Sequence, residues 1–303
     1  MRIIRGDYHP MGDGAGEAVM ILGASTLLFR DRPLGREMFG ELHAAGIESV
    51  ELTDYHPGFA YDELATFERL RHDLAELSLH LNSLHIHRQR LDAAGDLETD
   101  LAASDAVVRA TTLARYRGAV DVMAALGGGI IVTHDIAVPL PADAVHSPDA
   151  DREYRARRTA FVANLRELAG YAAPRGVRIA LENTSAGLAR EPAGLVALVR
   201  DVAAANVGVV IDTGHRNLIG DPATAVRAVA GHLISLHIHD NAGVADEHLL
   251  PGRGVIDWRQ VLTALRAVRY DGVFLYELTR PEDLPHLRAN FEWLMHTAGR
   301  GRG

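Results

Sequence analysis

VGVVIDTGHRNLIGDPATAVRAVAGHLISLHIHD, residues 207–240, holds two apolar runs, VGVVIDT (207–213) and LISLHIH (233–239), joined by a helix-period segment over 221–231. Asp221-Pro222 marks the start of that segment, an N-cap carboxylate followed by proline at the first helical position. Near-continuous apolar runs of strand length separated by a helix indicate neighbouring parallel strands, buried on both faces. Each run ends in residues that a buried strand has no packing use for. Asp212 closes the first, with His215 one turn later, and His237, His239 and Asp240 close the second.

The same unit recurs along the chain. Further strands are expected at VMILGAST (19–26), IESVELT (47–53), LNSLHIH (81–87), GIIVTHD (129–135), RIALENT (178–184) and GVFLYEL (272–278). Helical periodicity covers about 35–45, 61–79, 99–126, 152–173, 192–204, 257–268 and 282–298. Eight strand–helix units in 303 residues point to a single α/β domain, a (β/α)8 TIM barrel with parallel strands. It is expected to span 19–300, after a polar N-terminal lead-in at 1–18. A doubly wound open sheet would call for a GxGxxG turn after the first strand, where GASTLLFRDRP stands instead.

Composition narrows the chemistry. Cysteine is absent, so disulfides and thiolate metal sites are excluded, and any transition metal must sit on His, Asp and Glu. All 31 basic residues are arginine, which excludes a lysine Schiff base and a lysine acid/base. The net charge of −9 counts against a nucleic-acid partner, whose phosphates call for a basic surface. No apolar run reaches membrane-spanning length, and the N-terminus lacks the apolar stretch of a secretory signal. A cytoplasmic location, no membrane association and compatibility with a homo-oligomer are the resulting expectations.

Barrel enzymes carry their chemistry at the C-terminal strand ends. Here those ends hold His85 and His87, His134 and Asp135, Glu182, Asp212 with His215, His237 with His239, and Glu277. A single carboxylate after a strand is ordinarily a helix cap, and a single histidine there ordinarily packs. Together, Glu182, Asp212 and Glu277 would converge at one poorly solvated mouth, where like charges repel unless a cation compensates them. A divalent metal does so economically.

LENTSAG, VIDTGHRN, LHIHDN…DEHLLPGRGVIDW and FLYEL resemble the motifs of the xylose isomerase-like barrel superfamily, in order and spacing over about residues 20–298. That superfamily includes sugar-phosphate isomerases/epimerases, ketose 3-epimerases, inosose dehydratases and endonuclease IV. The resemblance implies one divalent ion (Mn, Zn, Co or Mg) held by Glu182, Asp212, His237 and Glu277. It selects His237 over His239 as ligand and leaves His239 to face substrate or to pack. The segment DEHLLPGRG is similar to one that, in endonuclease IV, completes a site of three zinc ions. On that pattern His85, His134, His215, Asp246 and His248 are candidates for further metal or for substrate contact.

The implied activity is isomerisation or epimerisation of a sugar or sugar phosphate through a metal-stabilised enediolate. Glu182 and Glu277, on opposite sides of the mouth, would be the catalytic acid/base pair. The loop 241–254 would fold over the mouth as a lid, with Trp258 anchoring the helix beneath it. Arg253 would contact substrate or stand as a solvated loop charge. A metal-dependent lyase or dehydratase of a sugar or cyclitol uses the same enolate chemistry and is one alternative. An endonuclease IV-like zinc phosphodiesterase is the other. It is disfavoured by charge and by the absence of basic or aromatic insertions in GASTLLFRDRPLG and TDYHPGFAYDE.

Overall fold

The computed structural model describes residues 20–86, 90–91, 97–134, 148–184 and 190–299. The lead-in, His87, Asp135 and the proline-rich stretch before Pro148 lie outside the described residues.

Eight parallel strands form the barrel: β1 Ile21–Ser25, β2 Ser49–Thr53, β3 His80–His85, β4 Gly129–His134, β5 Val177–Glu182, β6 Val207–Asp212, β7 Leu233–His237 and β8 Val273–Tyr276. The ladder runs β8-β1-β2-β3-β4-β5-β6-β7. It closes between β7 and β8 through the bridge of Ile238 with Tyr276. There the Ile238 N–H donates to the Leu275 carbonyl at 2.8 Å, and the Glu277 N–H donates to the Ile238 carbonyl at 3.1 Å.

The outer helices are α1 Arg36–Ala44, α2 Leu64–Glu76, α3 Ala106–Ala125, α4 Pro148–Ala172, α5 Pro192–Val202, α6 Pro222–Ala228, α7 Trp258–Ala267 and α8 Leu287–Gly299. Asp221 caps α6 through the N–H groups of Ala223 and Thr224, and Asp257 caps α7 through that of Gln260. Two helices start a full turn or more later than their periodicity predicts. Leu97–Thr99 pairs with Arg90–Leu91 as a short antiparallel hairpin, and Asp105 then caps α3. Pro281 and Pro285 hold residues 281–286 in a 3-10 turn before α8. Between β6 and α6 there is also a one-turn helix, Thr213–Asn217.

Most of the apolar core lies between the strands and the helices. Inside the barrel a smaller apolar plug of Ile130, Val132, Ala180 and Val210, with Ile234 beside it, fills the lower part. Above the plug the inward positions become polar: Glu51, Ser83, His85, His134, Glu182, Asp212, His237 and Glu277 are all buried. Strand alternation puts both sets on one face of each strand, as Ala180 and Glu182 on β5 or Val210 and Asp212 on β6 illustrate. Among the described residues no helix is long and apolar enough to cross a membrane.

Candidate metal centre

Strand register brings the candidate ligands together. His134 of β4 pairs with Glu182 of β5, and Asp212 of β6 pairs with His237 of β7. Where the ladders run out, motif side chains take over. The Asn183 amide donates to the Asp212 carbonyl at 3.1 Å and accepts from the Asp212 N–H at 2.8 Å. The Thr213 hydroxyl lies 2.8 Å from the His239 carbonyl and accepts from the His239 N–H at 3.1 Å. These bonds hold β5, β6 and β7 in step above their last ladder bonds.

Ligand atoms of Glu182, Asp212, His237 and Glu277 all lie within 4.8 Å of one another, and those of His85, His134 and Glu182 meet the same limit. Nδ1 of His237 stands 3.2 Å from Glu182 Oε2, 3.4 Å from Glu277 Oε1 and 3.9 Å from Asp212 Oδ2. Nε2 of His85 is 3.4 Å from Glu182 Oε2. Both oxygens of Glu182, Nδ1 of His237 and Nε2 of His85 are nonetheless buried without a hydrogen bond. Buried polar atoms that converge yet make no hydrogen bonds are what a metal site presents before its ion is counted. The donor set of carboxylate oxygens and imidazole nitrogens suits zinc, manganese, cobalt or magnesium. The residues therefore fit a divalent ion.

A second group sits higher in the mouth. Oδ2 of Asp246 lies 3.2 Å from Nε2 of His215 and 3.2 Å from Nε2 of His248. Each ring has its Nδ1 against a backbone carbonyl, Asn183 for His215 at 3.1 Å and Glu277 for His248 at 2.7 Å. A carbonyl acceptor fixes the proton on Nδ1 and turns Nε2 toward Asp246. His248 adopts φ 49°, a left-handed conformation strained for a non-glycine residue. His239 is fully buried, with Nε2 3.0 Å from Asp212 and its ring stacked on that of His248 at 4.0 Å. His239, Asp246 and His248 also meet the 4.8 Å limit. Gly214 makes room for the His239 ring, since a Cβ there would stand 1.9 Å from Cε1.

The electrostatics follow from packing carboxylates and imidazoles together without water. Burial alone would raise the Glu182 carboxyl, but His237, His134 and His85 override it and hold it well below the usual range. Asp212 is likewise pushed up by burial, and His215 and His239 bring it below its ordinary value. Burial lowers His85, yet Glu182, Glu277 and Glu51 lift it to about 9. Burial lowers His248, and Asp246 with Glu277 lifts it to about 9.

The mouth loop returns on itself as a short antiparallel bridge, Asp240 with Leu249. Asp240 pins it. Its carboxylate accepts from the N–H groups of Asn241, Gly252 and Ile256 and from the Trp258 indole. Gly254 is required beside it, because a Cβ would lie 2.2 Å from Asp240 Oδ1. Arg253 is paired with buried Asp283 at 2.5 Å.

One buried carboxylate has no counterpart in the sequence expectations. Glu51 of β2 is fully buried, accepts from the Ser83 hydroxyl at 2.7 Å and lies 3.1 Å from Nε2 of His237. The available signal was its position: a carboxylate flanked by Val50 and Leu52 in a parallel strand covered on both faces has no route to solvent.

A family model described as a xylose isomerase-like TIM barrel matches residues 39–296. An uncharacterized protein of Methanocaldococcus jannaschii is 31% identical over 176 residues, 56% of this chain and 57% of that protein. The chain thus spans little more than half the length of that relative. The inosose isomerase of Bacillus velezensis is 27% identical over 253 residues, 78% of this chain and 84% of the relative. Among solved structures, a D-tagatose 3-epimerase-like protein superposes with a TM-score of 0.77 at 22% identity, covering 94% of this chain and 100% of that one. At that identity the likeness is one of fold.

Proposed function

We propose that this chain, which belongs to the xylose isomerase-like TIM-barrel family, is a divalent-metal-dependent isomerase or epimerase of a small carbohydrate. The observation that carries it is the convergence of Glu182, Asp212, His237 and Glu277, with Nδ1 of His237 and both Glu182 oxygens buried and without hydrogen bonds. The names of its relatives, inosose isomerase and L-ribulose 3-epimerase among them, agree with that class.

Glu182, Asp212, His237 and Glu277 would hold the ion. When bound, it supplies Lewis acidity that stabilises negative charge growing on substrate oxygens. Glu182 and Glu277 come from β5 and β8 and reach the centre from different sides. One takes the proton from the carbon next to a carbonyl, and the other returns a proton to the neighbouring position or to the opposite face. Coordination to the ion would keep Glu182 ionised, the form a base requires. His239 and Arg253 are assigned to substrate binding, and the pinned loop after Asp240 excludes water from the mouth. Loss of hydroxide from the same enolate would make the enzyme a lyase or dehydratase.

A second function, zinc phosphodiester hydrolysis, is favoured by one observation. Asp246 faces Nε2 of both His215 and His248, and both rings are oriented by carbonyls. That group, with His85 and His134, offers ligands for two further ions.

The experiment is metal content per chain by elemental mass spectrometry, followed by solvent deuterium uptake into a panel of free and phosphorylated sugars. One ion per chain with deuterium incorporation supports the isomerase. Two or three zinc ions with cleavage of a phosphodiester substrate supports the hydrolase. Absence of any bound or titratable divalent ion overturns both.

A further inference from the structure

We infer that Glu51 is a positioning residue for the candidate metal centre: its carboxylate, behind the His237 ring, decides which imidazole nitrogen faces the ligand cluster. The inference rests on the metal-centre assignment above. Glu51 is fully buried. Its Oε2 accepts from Ser83 Oγ at 2.7 Å and lies 3.1 Å from Nε2 of His237. The other ring nitrogen, Nδ1, points the opposite way, 3.2 Å from Glu182 and 3.4 Å from Glu277.

A neutral imidazole carries one proton, and an ionised carboxylate can only accept. Glu51 therefore draws that proton to Nε2 and leaves the Nδ1 lone pair aimed at Glu182, Glu277 and Asp212. A carboxylate behind a ligating imidazole fixes its tautomer and its rotation and raises its basicity. Ser83, the register partner of Glu51 across β2 and β3, keeps the carboxylate from swinging away. Its other oxygen, Oε1, makes no hydrogen bond and stands 3.9 Å from Nδ1 of His85. That nitrogen has its nearer partner in Glu277 Oε1, at 3.1 Å, so the positioning contact of Glu51 is to His237 alone.

The test reads metal binding and tautomer, so it does not depend on knowing the reaction. In 15N-labelled wild-type protein loaded with zinc, long-range proton–nitrogen correlation should show His237 protonated at Nε2, with a metal-shifted Nδ1. Glu51→Gln, of the same shape but without charge, should lower zinc affinity about 10–100-fold in chelator competition. Ser83→Ala should lower it less. His237 protonated at Nδ1 in the wild type, or unchanged zinc affinity in a folded Glu51→Gln protein, overturns the inference while leaving the metal centre standing. Failure of the wild type to take up zinc removes both. If Glu51→Gln does not fold, Ser83→Ala decides, because it frees the carboxylate without removing it: unchanged zinc affinity in that variant overturns the inference.

Discussion

Trp258 donates its indole N–H to Oδ2 of Asp240 at 2.8 Å, so the helix that follows the mouth loop is tied to the strand that precedes it. The same carboxylate accepts from the N–H groups of Asn241, Gly252 and Ile256. Four donors from one loop and its flanks meet on a single fully buried side chain.

Asp240→Ala should therefore destabilise the whole protein, not only the loop. Buried donors left without an acceptor cost about 1–3 kcal/mol each, and neighbours on one acceptor do not add. We expect a loss of about 3–5 kcal/mol in urea unfolding, with Asp240→Asn intermediate because its amide oxygen still accepts. An unchanged midpoint for Asp240→Ala would mean that the loop folds without its pin.

The barrel is legible because it repeats a simple physical unit. A strand buried on both faces calls for near-continuous apolar residues, and most of the eight runs show them, while IESVELT and LNSLHIH stand where the repeat requires a strand, so the strands fall within a few residues of their expected positions. The metal ligands are legible for a related reason: Asp212 and His237 end runs that are otherwise apolar but for Ser235. Glu51 was missed because IESVELT alternates like an ordinary half-exposed strand, and only the burial of both faces turns its carboxylate inward. The role of Asp240 depends on where Gly252, Ile256 and Trp258 return in space, which local spacing does not encode. The Arg253 partner, Asp283, lies 30 residues away for the same reason.

Gly214→Ala isolates the packing of the mouth from its charges. An added Cβ would stand 1.9 Å from Cε1 and 2.3 Å from Nδ1 of His239. That ring cannot retreat, because Asp212 holds one edge and His248 covers its face. Overpacking of this kind costs about 1–3 kcal/mol, and it should displace His239 and disturb the Asp246 group with it. Gly40→Ala is the control: Gly40 sits in α1 with open space around its Cβ position. It should gain about 0.5–1 kcal/mol. Thermal unfolding of the two variants separates them, and equal stability for both would refute the steric account.

Metal stoichiometry separates the lower and upper groups. Glu182 belongs to two of the overlapping ligand clusters, whereas His248 belongs to the upper one alone. For a one-ion isomerase, Glu182→Gln should weaken binding more than about 100-fold, since it removes a ligand and not merely a supporting contact. His248→Ala should keep its ion. Chelator competition on both variants gives the answer. Loss of one ion of several in His248→Ala, with others retained, would favour the hydrolase.

The last prediction concerns pH, and its sign differs between metal-free and metal-loaded protein. His85 and His248 stand at about 9 in the folded chain, against about 6.5 in an unfolded one. For groups raised in this way, protonation stabilises the native state. The contribution is complete below about pH 6.5 and is lost as pH rises through about 9. Metal-free protein in chelator should therefore lose thermal stability between about pH 7 and 9. An ion held by Glu182, Asp212, His237 and Glu277 would need His237 deprotonated and would repel the proton on His85 beside Glu182, so its affinity rises over that window and its binding releases protons. Zinc-loaded protein should hold its Tm where the chelated form declines. Calorimetric titration near pH 7.5 in two buffers of different ionisation enthalpy should report about one to two protons released per ion. A metal-free Tm that stays flat across the window would show that the carboxylates do not hold these histidines protonated. In that case the centre would be arranged by its hydrogen bonds to Asn183, Glu277 and Glu51 rather than by charge.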